Sequence, residues 1–181
     1  METTLIRLIG YVITISILLL VLKIKKLPIQ ETLGLYTPKL KDLIIYGSIF
    51  IGWIFLTEYA TYKFGLLETG QWKGFSSGHI LLRGLSICLV APIVEEVVFR
   101  GLLFTRVKQR FGVKAAIFLP AVLFALLHLK LSETGVENIF VITTFIDAIF
   151  YAFIRHKTNS IYITILLHAL GNSIALIERL L

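Results

Sequence analysis

Six apolar blocks alternate with polar connectors along this chain. The first runs from about Leu5 to Leu22, broken only by Arg7 near its start. It is long enough to cross a bilayer as a helix, which takes about 20 residues. A signal peptide is the other reading of such a block. It fits less well, because Lys23-Ile24-Lys25-Lys26 follows where a small-residue cleavage site belongs. A connector broken by Pro28 and Pro38 leads to a second block, about Leu43 to Thr57 or beyond, with Trp53 and Tyr59 as candidate interface anchors. Tyr62 to Gly78 is mixed and glycine-rich, with Phe64, Trp72 and Phe75, and reads as an interfacial loop or a short surface helix. The third block extends from near His79 to about Thr105. At 1.5 Å per residue it would be about 40 Å long, so it should tilt, project or kink, and Pro92 marks the expected kink. The fourth block is Val113 to about Leu129, with Pro120 inside. After a polar turn at Ser132-Glu133-Thr134-Gly135 come the fifth, about Asn138 to Ile154, and the sixth, Ser160 to about Ile177. The pattern predicts an all-α polytopic transmembrane helix bundle of about six spans, with a kinked third span. It has no internal repeat and forms one integral membrane domain over residues 1–181.

Composition supports that class. The chain is 57% hydrophobic and only 16% charged, whereas a soluble domain carries about 25% charged residues. The net charge of +7 does not indicate a nucleic-acid partner, because the basic residues cluster between apolar blocks instead of covering one soluble face. The single cysteine, Cys88, rules out an intramolecular disulfide. Connectors one, three and five hold Lys23, Lys25, Lys26, Lys39 and Lys41, then Arg106, Lys108, Arg110 and Lys114, then Arg155 and Lys157. Connectors two and four hold only Lys63 and Lys73, and Lys130. The positive-inside rule places the odd connectors in the cytoplasm and both termini outside, in a multi-pass protein of the cell membrane.

Against this apolar background the stretch Ala91-Pro92-Ile93-Val94-Glu95-Glu96-Val97-Val98-Phe99-Arg100-Gly101 is costly. A charged side chain at bilayer depth costs about 2.5–3.5 kcal/mol on insertion scales, so these three need partners, water or a function. The other polar residues deep in blocks are His128, Asp147, His168 and Asn172. Counted from the predicted cytoplasmic ends, Glu95 and His168 lie about 16 Å deep and His128 about 21 Å. Three helices entering from one side would therefore bring a carboxylate and two imidazoles to a common depth. Glu96 and Arg100, at i and i+4, share a face and can pair, whereas Glu95 points about 100° away and is left free to act. Phe124 and His128 share one face, as do His168 and Asn172.

Each residue also has a plainer reading. Glu96 and Arg100 form a salt bridge; a single histidine or Asn172 makes an interhelical hydrogen bond; Asp147 is structural or hydrated; His79 and His156 are solvated at block ends. Co-occurrence at one depth favours a site. A carboxylate shielded from bulk water can take a proton from a bound water, which suits Glu95 as general base, while imidazoles and an amide can stabilise an oxyanion. Together they describe peptide hydrolysis without a covalent intermediate. Cys88 lacks a marked base, and no serine sits in a G-x-S-x-G turn. Glu95, His128 and His168 would also make a zinc triad with an open position, although the H-E-x-x-H spacing is absent. These residues alone leave the metal and metal-free routes open.

Glu95-Glu96-x-x-x-Arg100, Phe124-x-x-x-His128 and His168-x-x-x-Asn172, in that order, resemble the three motifs of the CAAX-protease and bacteriocin-processing family of intramembrane glutamic endopeptidases, also called the Abi family. The resemblance covers about residues 80–175, the expected catalytic core. It implies that Glu95 activates water with His128 assisting, that His168 and Asn172 stabilise the oxyanion, and that Glu96, Arg100 and Phe124 support them. It implies no cofactor and no metal, and a membrane-embedded or membrane-associated peptide or protein substrate. Other readings are a non-catalytic bacteriocin-immunity or regulatory scaffold on the same fold, and a proton-coupled transporter or relay using Glu95, Asp147 and the histidines. No inverted repeat supports the last.

Overall fold

The apolar blocks are helical in the computed structural model, which describes residues 2–66, 69–129 and 139–181 and forms no strand among them. Helix α1 (Glu2–Ile24) starts on an acidic residue and ends beside Lys23, charges that complement its dipole. The five-residue α2 (Ile29–Leu33) follows Pro28 and closes on Gly34, whose φ of 74° gives the left-handed C-cap glycine favours. The long α3 (Leu40–Lys63) covers the second block. Then Ser76 caps α4 (Ser77–Leu85) by accepting from the His79 amide.

From there the third block is not one uniform helix. The π-helical turns Ser86–Val90 and Val97–Leu103 flank the short α5 (Ala91–Glu96), in which Pro92 sits within the first two positions. Because the helical path runs unbroken from Ser77 through this point, Pro92 removes an amide that would have bonded to a carbonyl of the preceding turn. A π turn widens the helix and interrupts its i→i+4 ladder. At each turn a side chain from another helix supplies a donor: Asn172 Nδ2 to the Ile87 carbonyl at 2.8 Å, and Arg155 Nε to the Arg100 carbonyl at 3.1 Å.

The helical path continues into α6 (Phe104–Leu126), interrupted at Gly112, which has φ 81° and ψ 177°. Arg106, Lys108 and Arg110, expected in a connector, are therefore helical, and the division between the third and fourth blocks falls at one glycine. Helix α6 also stops short of the expected Leu129. Helices α7 (Ile139–Thr158) and α8 (Tyr162–Leu180) cover the last two blocks. Lys130 and the expected turn at Ser132–Gly135 lie outside the described residues.

Among the described residues, α1, α3 and α8 are each long and apolar enough to cross a membrane. Many large apolar side chains remain exposed, including Ile6, Ile9, Val12, Ile44, Phe55 and Leu166, as expected of helices that face lipid. Three of the four interior clusters among the described residues are built as follows. Phe50 of α3 packs with Tyr151, Ile154, Ile163 and Leu167; Phe99 packs with Ala121, Phe124 and Ala148; Leu18 and Leu22 of α1 pack on Leu33.

The α2 segment is held by close backbone approach. Gly34 accepts from the Ile161 amide at 3.0 Å and lies against the buried Arg155 guanidinium, which a Cβ at this position would overlap. Gly34→Ala combines left-handed strain with that overlap, and it should lower stability by about 2–4 kcal/mol in thermal unfolding of the detergent-solubilised protein. Gly65→Ala, at φ 65° with open space around it, should cost only about 1–2 kcal/mol.

Candidate active site

Glu95 and Glu96 end the short α5, and the helical turn sends them to different surroundings. Glu96 is fully buried. Its Oε1 accepts from Arg100 Nη1 at 2.8 Å, and His168 Nδ1 stands 3.0 Å from the same oxygen. Thr164, one turn before His168 on α8, adjoins this carboxylate as well. Arg100 is equally enclosed. Nη2 donates to the Ala148 carbonyl at 3.2 Å, and the guanidinium carbon lies 4.7 Å from the Phe124 ring centre and 5.3 Å from that of Tyr151. Aromatic faces complement a cation where water is excluded. The pairing of Glu96 with Arg100 expected from their spacing is present, with His168 as a further member.

Glu95 stays partly open, with 22% of its side chain exposed. Its Oε2 lies 3.7 Å from His168 Nε2, too far for a hydrogen bond. The His168 ring is nearly parallel to Tyr151, with centroids 5.6 Å apart, and edge-on to Phe124 at 5.9 Å. One imidazole thus stands between the two carboxylates, its Nδ1 on Glu96 and its Nε2 towards Glu95. Because a carboxylate only accepts, Nδ1 carries the proton.

His128 occupies a different place from the expected one. It is exposed in the turn just past the end of α6, not within the helix. The last carbonyls of a helix lack partners, and His128 Nδ1 takes one of them, Phe124 O, at 2.8 Å. A carbonyl accepts only, so Nδ1 bears the proton and Nε2 is free for other work. His128 and Glu95 are close enough for their charges to interact, and His128 also lines a cavity of about 410 Å³ with Arg7, Gly10, Tyr11 and Thr14 of α1. Asn172 commits one N–H to Ile87 O, which fixes its amide and leaves a second N–H. Among the described residues no three His, Cys, Asp or Glu side chains converge closely enough to hold a metal ion, so Glu95, His128 and His168 do not form a ligand triad here.

Several residues gain roles that their spacing did not suggest. Asp147 has a partner: Trp53 Nε1 donates to its Oδ1 at 2.7 Å. Trp53 therefore faces inward instead of anchoring at an interface. His156, expected to be solvated, is half-buried, with Nδ1 shielded and unbonded among the described residues. Tyr151 and Thr164, which bracket His168 and Glu96, look like ordinary span residues in the sequence, and only the packing of α7 and α8 reveals them.

The family model for Rce1-like type II CAAX prenyl endopeptidases matches residues 77–174, more than half of the chain. That stretch holds every motif residue from Glu95 to Asn172. The chain belongs to this family, a family of proteases, and its apolar helices place it in the membrane. No curated protein and no solved structure matches it.

Removing one member of a buried ion pair strands the other. Arg100→Leu should therefore cost about 3–5 kcal/mol, read as loss of the monodisperse peak on heating in detergent. Trp53→Phe, which deprives Asp147 of its donor, should cost about 1–3 kcal/mol in the same assay.

Proposed function

We propose that this protein is an intramembrane endopeptidase in which Glu95 is the general base that activates water. One observation carries the reading. Of two adjacent carboxylates, one is locked by Arg100 and His168, while the other keeps an open edge that, among these contacts, only His168 Nε2 approaches. Glu95 takes a proton from water as the water oxygen bonds to the scissile carbonyl carbon, and the carbonyl electron pair moves onto oxygen. The free N–H of Asn172 and, when protonated, Nε2 of His168 stabilise that oxyanion. As the pair returns, the C–N bond breaks and the departing amine takes the proton from Glu95, with His128 Nε2 assisting the transfer. Glu96 and Arg100 hold Glu95 and His168 in register, and Phe124 walls the guanidinium from lipid.

The substrate is a membrane-embedded or membrane-associated peptide or protein, of CAAX type or a processed peptide. In this reading the chain crosses the membrane about six times, with the basic connectors in the cytoplasm. The mechanism uses no metal.

Comparative membrane proteomics of cells carrying wild type or Glu95→Ala should show an uncut precursor accumulating in the variant. With that precursor and the purified protein in liposomes, Glu95→Gln should reduce cleavage by about 100-fold or more, and full cleavage by this variant would sink the proposal. Wild-type cleavage should survive strong chelation. Complete loss restored by zinc would favour the metal route.

A further inference from the structure

Just past the end of α1 the chain reaches the level where a bilayer meets water. Helix α1 is long and apolar enough to cross a membrane, and Lys25 and Lys26 follow its last residue, Ile24. Pro28 then leads into α2, which is fixed to the start of α6. Thr105 donates to the Thr32 carbonyl at 2.8 Å. Leu33 lies so near Gly101 that a Cβ there would stand 3.0 Å from its side chain. Beside these contacts, between α2 and α6, is a cavity of about 160 Å³. Its walls are set by bonds and packing within the chain.

Two charges of opposite sign line this cavity, Glu31 on α2 and Arg106 on α6, with Gln109 one turn beyond Arg106. Leu27 and Pro28 give it an apolar side. The two charges do not neutralise each other. Among the described residues neither takes part in an ion pair, and all three polar side chains are exposed. A single solvated charge at a helix end is ordinary and needs no ligand. An unpaired guanidinium and carboxylate on one fixed cavity differ, because a ligand carrying both an anion and an ammonium can satisfy the two together. At this level phospholipid headgroups are at hand, and basic residues beside a span attract them. A guanidinium matches a phosphate, and a carboxylate accepts from an ammonium. A glycerol headgroup would leave Glu31 without a cation, and a choline headgroup has no N–H to donate. Phosphoethanolamine supplies both charges and the donor.

We propose that the cavity between α2 and α6 is a headgroup site for phosphatidylethanolamine, with Arg106 and Gln109 donating to the phosphate and Glu31 accepting from the ammonium. The site is independent of the chemistry proposed for Glu95 and can be tested without a peptide substrate. Purified wild type, Glu31→Gln and Arg106→Gln are each titrated with dioleoyl-phosphatidylethanolamine, dioleoyl-phosphatidylcholine or dioleoyl-phosphatidylglycerol. Native mass spectrometry then gives the affinity for the first lipid bound. Wild type should hold phosphatidylethanolamine about 10-fold more tightly than phosphatidylcholine, the size expected of a hydrogen bond to a charged group. Glu31→Gln should bring these two lipids within about twofold of each other, since it removes the acceptor for the ammonium. Arg106→Gln should weaken binding of both by about 10-fold, since both carry the phosphate. Equal wild-type affinity for the two lipids overturns the proposal, as does tighter binding of phosphatidylglycerol, which would make this an anionic-lipid surface. An ethanolamine preference that persists in Glu31→Gln, or unchanged affinities in Arg106→Gln, overturns it as well.

Discussion

The buried pair of Glu96 and Arg100 is the constraint on which the centre of this molecule depends. Both side chains are sealed from solvent, and their 2.8 Å contact is enclosed by Phe124, Tyr151, the Ala148 carbonyl and His168. Such a pair is not retained for stability alone, since desolvation offsets most of its Coulombic gain. What it provides here is a fixed arrangement. The guanidinium ties the Val97–Leu103 turn to α7 through Ala148, and the carboxylate ties α5 to α8 through His168. Either partner alone would be an uncompensated charge, so the helices that supply the remaining partners are held to one packing.

The π turns on either side of α5 serve the same end. In a regular α-helix the carbonyls of Ile87 and Arg100 would be engaged within the helix. In the widened turns they accept from Asn172 on α8 and Arg155 on α7. The two helices that embrace the ion pair are thus bonded to backbone above and below it. Arg155 also packs against Gly34, so the short α2 is joined to the same assembly. Polar side chains in an apolar chain here link helices to one another, as hydrogen bonds between helices do in lipid.

Much of this was legible from residue order. The six apolar blocks correspond to helical runs, and the i, i+4 spacing of Glu96 and Arg100 indicated their pairing. Other features were hidden for physical reasons. The end of α6 before His128, whose imidazole bonds to Phe124 O, is not marked in a sequence whose other residues stay apolar to Leu129. The break at Gly112 depends on a backbone angle available to glycine, and the basic residues before it suggested a loop. The partner of Asp147 lies 94 residues away on α3, a separation no local pattern reports. Thr164 was invisible because a single hydroxyl in an apolar block is unremarkable until tertiary packing supplies its neighbour.

The adjacency of Glu95 and Glu96 has a geometric logic of its own. Successive residues on a helix diverge by about 100°, so two neighbouring carboxylates cannot both point into the same closed pocket. A centre that needs one acid for cohesion and another for proton transfer can place them side by side only if their faces differ in solvation. That is the arrangement here. Glu96 faces α7 and α8, where Arg100 and His168 engage it. Glu95 keeps a partly exposed edge. His168 reaches both, with Nδ1 on one carboxylate and Nε2 towards the other. Any displacement of the structural pair therefore reaches the open carboxylate through a single ring, and the precision of the proposed reaction rests on the rigidity of the pair beside it.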